Sequence, residues 1–372
     1  MKHTYFLFFL IYTTVTFAQI PSGYYDSATG TGYTLKTQLK NIIDDTNNGL
    51  TSEYLSIDNG YGALYDTYIT SDIDSYYENN GTVLDMYSEN PNGLDAYEYT
   101  YEIESPDDRD SGTGGTSEGE YYNREHIIPQ SVFDSNSPMR GDAHFVVPSD
   151  KYVNAQRGSL PFGVVQNANY TSSNGSKRGN NLNFGYSSGY TSDVFEPIDE
   201  FKGDIARMYF YFVTRYEDNI SGFNSYDMFD GSSNQALNTV FFNILYQWHI
   251  QDPVSQRELD RNNAIFNEQN NRNPFIDHPE YVQTIWSNLL STNNFTNSDF
   301  KIYPNPVKGD FVYFSKTKEA DIIIFNVLGK SILKKHISST TNKMDVSKLS
   351  KGIYLLRLDT SSGTVTKKLI KH

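Results

Sequence analysis

Apolar residues recur at helical spacing in several stretches of this chain and at strand spacing only near its end. Leu35, Leu39, Ile42 and Ile43 share one face of a helix spanning 34–45. The run Asp44-Asp45-Thr46-Asn47-Asn48-Gly49 then breaks it, reading as a polar turn or a weak calcium loop. Residues 57–100 show no period. They are rich in Tyr, Asp and Asn, with Asn-Gly turns at 59, 80 and 92. A Gly/Ser/Asp loop over 104–120 leads into the stretch 121–158. Apolar neighbours around Glu125-His126 predict the end of a buried strand, running into a loop at Pro129. A helix follows, with Ser149 as N-cap, Asp150 and Lys151 in its first turn and Gly158 as its stop. Residues 165–192 are polar and predict another loop. Helical periods return over 203–217 and 237–250, after Asp252-Pro253 and after Pro279.

A polar linker covers 291–299. Beyond it, Ile322–Phe325, Ile332–Leu333, Ile353–Leu358 and Val365–Ile370 predict short strands of a small β-sandwich over 300–372. The fold class is therefore α+β with a helical second half, followed by a small all-β domain. The first residues, Lys2-His3 and then an apolar run from Tyr5 to Phe17 ending at Ala18, have the form of a signal peptide over 1–18. A catalytic body is expected over 19–290.

Charge sharpens the division. Residues 301–372 hold 14 Lys and Arg against 5 Asp and Glu, while 19–300 hold 15 against 40. A body with a net charge of −25 does not bind a polyanion through bulk attraction, so any such ligand needs a local basic patch or a metal. The chain has no cysteine, so no disulfide supports it.

The residues with chemistry to offer gather in 121–158. Two of the seven histidines, His126 and His144, lie there with Glu125, Asp142 and Asn154. A neutral imidazole can take a proton from water. A carboxylate and an amide carbonyl are oxygen ligands suited to Mg²⁺, which keeps several of its waters. Arg124, Arg140 and Arg157 are placed to clamp a phosphate oxygen. By residue type and spacing alone the same groups fit a structural histidine, an ion pair and a cap equally well. Nucleophile chemistry of the serine or cysteine kind finds no support. Gly115-Thr116-Ser117-Glu118-Gly119 matches a nucleophile elbow by letter but lacks the strand-turn-helix setting.

Asn123-Arg124-Glu125-His126-Ile127-Ile128-Pro129-Gln130-Ser131 resembles the signature of the bacterial endonuclease I family of secreted nucleases. Asp142-Ala143-His144, Pro148-Ser149-Asp150 and Val153-Asn154 with Arg157 continue the resemblance. So do Phe195-Glu196-Pro197, 202–207 and 271–277, the whole spanning Tyr24 to Leu290. The resemblance implies a ββα-metal site and a largely sequence-non-specific endonuclease acting on DNA and on RNA, leaving 5′-phosphates. It makes His126 the general base and gives Mg²⁺ to Glu125 and Asn154; Ca²⁺ or Mn²⁺ are expected substitutes, and the acidity of the body leaves room for structural Ca²⁺ elsewhere. Asp142 and His144 would support the site from behind. Only 17 residues separate His126 from His144, so the loop that carries the family's assisting arginine is short. Arg140 is the candidate for that role, with Arg157 behind it. Arg124, Lys151, Arg207 and Arg272 are candidates for backbone phosphate contacts, and Arg124, Arg140, Lys151, Arg157, Lys177 and Arg178 are expected around the cleft.

The tail resembles a C-terminal sorting domain of type IX secretion, on Phe300-Lys301-Ile302-Tyr303-Pro304-Asn305-Pro306 and Gly352-Ile353-Tyr354-Leu355-Leu356-Arg357 and the basic end. It implies a partnership with that machinery and a monomer released from the cell or attached to its surface. Two readings compete with a DNA-cleaving enzyme: an extracellular ribonuclease, and a surface nucleic-acid-binding protein with a dead site.

Overall fold

The computed structural model describes residues 20–101, 108–291, 301–315, 319–326, 331–338, 341–360 and 363–372. The expected signal peptide and most of the linker lie outside these residues.

Two helices open the chain, α1 (Gly32–Ile43) and α2 (Leu64–Ser71). The central unit follows: β1 (Tyr122–His126), β2 (Val146–Asp150) and α3 (Lys151–Arg157). β1 and β2 are antiparallel, with Tyr122 opposite Asp150 and His126 opposite Val146. β2 is buried along its whole length, which fits its apolar run Val146-Val147-Pro148. Helix α3 begins one residue later than the sequence suggested. Asp150, not Ser149, is the cap: its carboxylate accepts from the Val153 amide at 2.7 Å, while the Ser149 hydroxyl donates to the Asp150 carbonyl at 3.3 Å. Gly158 ends the helix with φ of 55°.

Residues 165–196 correct an expectation. They form an antiparallel sheet of β3 (Val165–Thr171), β4 (Lys177–Asn181) and β5 (Asp193–Glu196), ordered β3-β4-β5. Polar side chains on both faces of β3 hide the strand period. Gly179 is required here, since a Cβ would lie 2.1 Å from the Asn167 carbonyl oxygen of the neighbouring strand.

The helical half comprises α4 (Lys202–Arg215), α5 (Glu217–Ile220), α6 (Thr239–Gln251), α7 (Gln256–Gln269), α8 (Pro274–Asp277), α9 (Glu280–Ile285) and α10 (Ser287–Ser291). Every residue of α4 from Gly203 to Arg215 is buried, so this helix is the axis of the main core. Its neighbours include Phe145 of the central unit, which packs edge-on to Phe212, and Trp286, which packs on Phe210. Asp252-Pro253 does not open α7. The Asp252 carboxylate accepts from the Gly203 amide at 2.7 Å, and a capping box of Ser255 and Glu258 starts α7 instead.

The C-terminal part is all β: β6 (Ile302–Tyr303), β7 (Phe311–Phe314), β8 (Glu319–Phe325), β9 (Ser331–Ser338), β10 (Lys343–Asp345), β11 (Gly352–Thr360) and β12 (Gly363–Lys371). Sheets ordered β10-β7-β6 and β12-β11-β8-β9 enclose their own core, which includes Val312, Ile322, Ile324, Leu356 and Leu358. No helix among the described residues is long and apolar enough to cross a membrane.

Candidate active site

An open cleft of about 370 Å³ lies at the end of the β1-β2-α3 unit. Tyr61, Asn123, Arg124, Glu125, His126, Pro129, Gln130, Ser131, Asn154, Arg157, Gly158 and Ser159 line it. Strand β1 delivers Glu125 and His126, and α3 delivers Asn154 and Arg157. Glu125 is the one carboxylate in this lining, so the rim of an otherwise acidic body is not acidic here.

His126 is oriented by its own loop. Its Nε2 lies 3.1 Å from the Arg140 carbonyl oxygen. A carbonyl only accepts, so Nε2 carries the proton and Nδ1 keeps its lone pair. Burial lowers the imidazole pKa to about 4, and Arg124, Arg140 and Arg157 push in the same direction against the Arg140 hydrogen bond. The ring is therefore neutral at ordinary pH. Tyr61 stacks on it, with centroids 5.7 Å apart.

Glu125 is buried, and burial raises its carboxyl to about 7, against the opposing pull of Arg157 and Tyr87. The Tyr87 hydroxyl donates to Oε1 at 3.0 Å, and Arg157 lies 3.2 Å from the same oxygen. Among the described residues no side chain donates to Oε2, and the His126 backbone amide adds a further hydrogen bond to the carboxylate. Asn154 uses its amide nitrogen to donate to Asn123 Oδ1 at 2.8 Å, which leaves its carbonyl oxygen as an available ligand. An ionisable carboxylate destabilised by burial and an amide carbonyl without a donor suit a hard divalent cation that completes its shell with water.

The arginines separate sharply. Arg157 is 1% exposed and its guanidinium donates to the carbonyls of His126 and Ile127 at 2.9 and 2.6 Å. It pins the strand end that carries the base, so its visible contacts are those of a positioning residue. Arg124 lies over Tyr61 at 3.5 Å and Tyr65 at 4.4 Å, donates to the Tyr61 carbonyl, and has no ion pair among the described residues. Arg140 lies over the same Tyr61 ring at 4.4 Å, outside the cleft lining, while its carbonyl holds His126. Gly141 permits this approach, since a Cβ there would come within 3.0 Å of the Gly60 carbonyl carbon.

Several expectations are corrected. Arg207 and Arg272 are not at a nucleic-acid surface. Arg207 forms a two-point pair with Glu258 at 2.5 and 2.8 Å, and Arg272 one with Asp277 at 2.6 and 2.8 Å, both inside the helical half. Asp142 and His144 make no described contact with Glu125, His126 or Asn154. Asp142 accepts from Tyr211, Arg215, Tyr216 and Gln269, and these donors hold it ionised: burial would raise its pKa, but Arg215 and its other neighbours bring it below the ordinary value. His144 Nε2 donates to the Asn271 carbonyl, 3.0 Å away, and its backbone amide donates to Asp142 Oδ1 at 3.1 Å, while Nδ1 is buried and unpartnered. Both anchor the loop after the Met139–Gly141 turn to the core. Lys151 pairs with Asp110 at 2.7 Å and does not line the cleft. Lys177 and Arg178 lie on β4, with Arg178 on the Gln156 side chain of α3 at 2.9 Å.

Tyr61 and Tyr87 were not anticipated. They come from the tyrosine-rich segment before the motif, which has no apolar period to mark them. The 44–49 run proves to be a polar turn, with Asp44 Oδ1 accepting from Thr46 and Asn48.

A strand bearing Glu-His, an antiparallel partner and a helix bearing Asn close on an open polar cleft as a ββα unit. The comparisons give the family: residues 31–280 match endonuclease I, and the chain belongs to that family. It is 34% identical over 268 residues to an extracellular ribonuclease of Bacillus subtilis (strain 168), covering 71% of this chain and 78% of that one. It is 36% identical over 182 residues to an extracellular ribonuclease of Bacillus amyloliquefaciens, covering 48% of this chain and 58% of the other. Residues 301–372 match a secretion system C-terminal sorting domain. The protein is thus a nuclease that leaves the cell or stays attached to its surface, and nucleic acid is its substrate.

Proposed function

We propose that the protein is a cation-dependent, largely sequence-non-specific endonuclease that hydrolyses both RNA and DNA. The reading rests on one observation: the Arg140 carbonyl fixes the His126 proton on Nε2, leaving Nδ1 unprotonated in the cleft that Glu125 and Asn154 also line.

In this reading His126 Nδ1 takes a proton from a water as that water attacks phosphorus. The P–O bond to the 3′-oxygen breaks, the departing 3′-oxygen takes a proton from solvent water, and the new P–O bond leaves a 5′-phosphate. The proton is held on the imidazole until solvent removes it. Glu125 Oε2 and Asn154 Oδ1 would hold Mg²⁺, which when bound supplies positive charge to the phosphate and leaving oxygen. Tyr87 and Arg157 keep the Glu125 carboxylate in place, and Arg157 keeps the strand end rigid. Arg124, extended over Tyr61, is placed to meet a backbone phosphate.

Water as nucleophile makes no use of a ribose 2′-hydroxyl, and the cleft lining holds no second histidine to serve as a paired acid. The mechanism therefore admits deoxyribose as well as ribose. The relatives' names favour the narrower ribonuclease reading. Supercoiled plasmid and a structured RNA, each incubated with the protein in Mg²⁺ or in EDTA, separate the two. Cleavage of both that stops in EDTA is expected. Cleavage of RNA alone would restrict the enzyme to ribonuclease, and cleavage unaffected by EDTA would remove the cation from the mechanism.

A further inference from the structure

A second group of carboxylates lies in the tyrosine-rich segment, away from the cleft lining. Ligand oxygens of Asp74, Glu78 and Glu89 all lie within 4.8 Å of one another. Two oxygens on opposite sides of a calcium ion, each about 2.3–2.6 Å from it, are about 4.6–5.2 Å apart. The three oxygens therefore fit around one ion of that size.

Glu89 points to a missing ligand independently of this clustering. The residue is 1% exposed, and its Oε1 is buried without any hydrogen-bond partner. Oε1 of the half-buried Glu78 is buried and unpartnered as well. A lone buried carboxylate oxygen is costly, and two of them facing a third carboxylate cost more. The strongest influences on Glu89 are its burial and then Asp95, Glu78, Asp74 and Asp85, and together they raise its carboxyl to about 9. No lysine or arginine stands among them. Asp74 differs: its two oxygens already accept the amides of Tyr76, Tyr77 and Asn79, which orients it for a ligand role.

We infer that Asp74, Glu78 and Glu89 form a second cation site, structural rather than catalytic, that takes calcium. The donor set is all oxygen, carries three negative charges and sits on irregular backbone, which suits the larger and more tolerant ion over Mg²⁺. The half-buried Asp95 carboxyl, itself raised to about 6 chiefly by burial, is the neighbouring acid that most raises Glu89.

The position of the site gives it a consequence. Glu89 closes a turn whose amide donates to the Asp85 carbonyl. The same turn carries Tyr87, whose hydroxyl holds Glu125, and Asp85, whose carboxylate accepts from the Asp150 amide at the cap of α3. A cation on Glu89 therefore stiffens the turn that holds both the carboxylate on β1 and the start of the helix bearing Asn154. In a chain without cysteine it replaces a covalent crosslink.

The test uses the full exported protein and calcium itself. Bound calcium is counted by equilibrium dialysis, and the thermal midpoint is read in 1 mM Ca²⁺ and in EDTA, for the wild type, Glu89→Gln and Glu125→Gln. Glu89→Gln should bind one calcium fewer than the wild type, whereas Glu125→Gln should keep that ion. Calcium should raise the midpoint of the wild type and of Glu125→Gln by about 5 °C or more, and that of Glu89→Gln far less. In EDTA, Glu89→Gln should be at least as stable as the wild type, because it removes a carboxyl that must take up a proton to be buried among other acids. Equal calcium binding and an equal thermal shift in the wild type and Glu89→Gln would overturn the assignment. If Glu89→Gln does not fold, Glu78→Gln, at a half-buried position, serves instead, with calcium affinity weakened roughly tenfold or more expected and unchanged affinity overturning the site.

Discussion

The cleft and the helical half both concentrate arginines and acids, and they leave them in different states. In the helical half the charges are matched pair by pair: Arg207 with Glu258, Arg272 with Asp277, Arg215 with Asp142, Arg261 with Asp72. In the cleft the matching is incomplete. Among the described residues, the side-chain partners of Glu125 all meet one oxygen, His126 keeps a free lone pair, and Arg124 rests on tyrosine rings without a carboxylate. Buried groups that satisfy one another stabilise a fold, while groups left short of partners mark where a ligand completes the set. The difference sorts residues that a motif alone treats alike.

Substitutions in the two regions should therefore fail in different ways. The largest effect on turnover without loss of fold is expected from Glu125→Gln, at least about 100-fold in cleavage rate at fixed Mg²⁺ and partly recovered as Mg²⁺ is raised, with a near-native circular dichroism spectrum. Arg207→Ala should instead cost about 3–5 kcal/mol of stability, because Glu258 is left buried and unpaired, as a urea titration would show. Catalytic rate per folded molecule should survive it at low temperature. If Arg207→Ala stays fully stable yet loses DNA binding, the division between the regions is wrong.

A pH effect of intermediate size belongs to the core. His144 is fully buried and its pKa is lowered to about 4, chiefly by burial, from an unfolded value near 6.5. Above 6.5 neither state binds the proton and the shift contributes nothing. Between 6.5 and 4 the unfolded chain takes up a proton that the native state refuses, so stability falls as pH falls. His144→Gln should remove this slope, losing up to about 3 kcal/mol less than the wild type between pH 7 and pH 4 in paired urea titrations. The same slope in both proteins would mean that His144 is not held neutral. The smallest effect is expected from Tyr87→Phe, which loses one hydrogen bond to Glu125: roughly 10-fold weaker Mg²⁺ dependence of cleavage, with the maximal rate nearly kept. A fall in maximal rate at saturating Mg²⁺ would give Tyr87 more than a holding role.

The sequence carried the site's centre because its three groups sit in one short stretch. Glu125, His126 and Asn154 are separated by a hairpin and a single helix turn, so strand and helix signals within 121–158 nearly suffice to place them. Arg207, Arg272, Asp142 and His144 lie in equally recognisable segments, but burial decided their roles, and burial depends on α4 and α7 packing across the chain. Tyr61, Tyr87 and Glu89 were illegible for another reason. They come from a segment with no apolar period, held by side-chain hydrogen bonds to residues far along the chain. The β3-β4-β5 sheet escaped because its first strand is polar on both faces. At α3 the cap moved by one residue, since the Ser149 hydroxyl is turned to the Asp150 carbonyl and the Asp150 carboxylate takes the Val153 amide.

The central claim is that His126 acts as the base, and its most direct test is the single-turnover cleavage of plasmid by His126→Ala at saturating Mg²⁺, with and without added imidazole. The expected result is a loss of about 10²–10⁴-fold, partly restored by imidazole, in a protein as stable as the wild type. Wild-type cleavage by His126→Ala without imidazole would contradict the account.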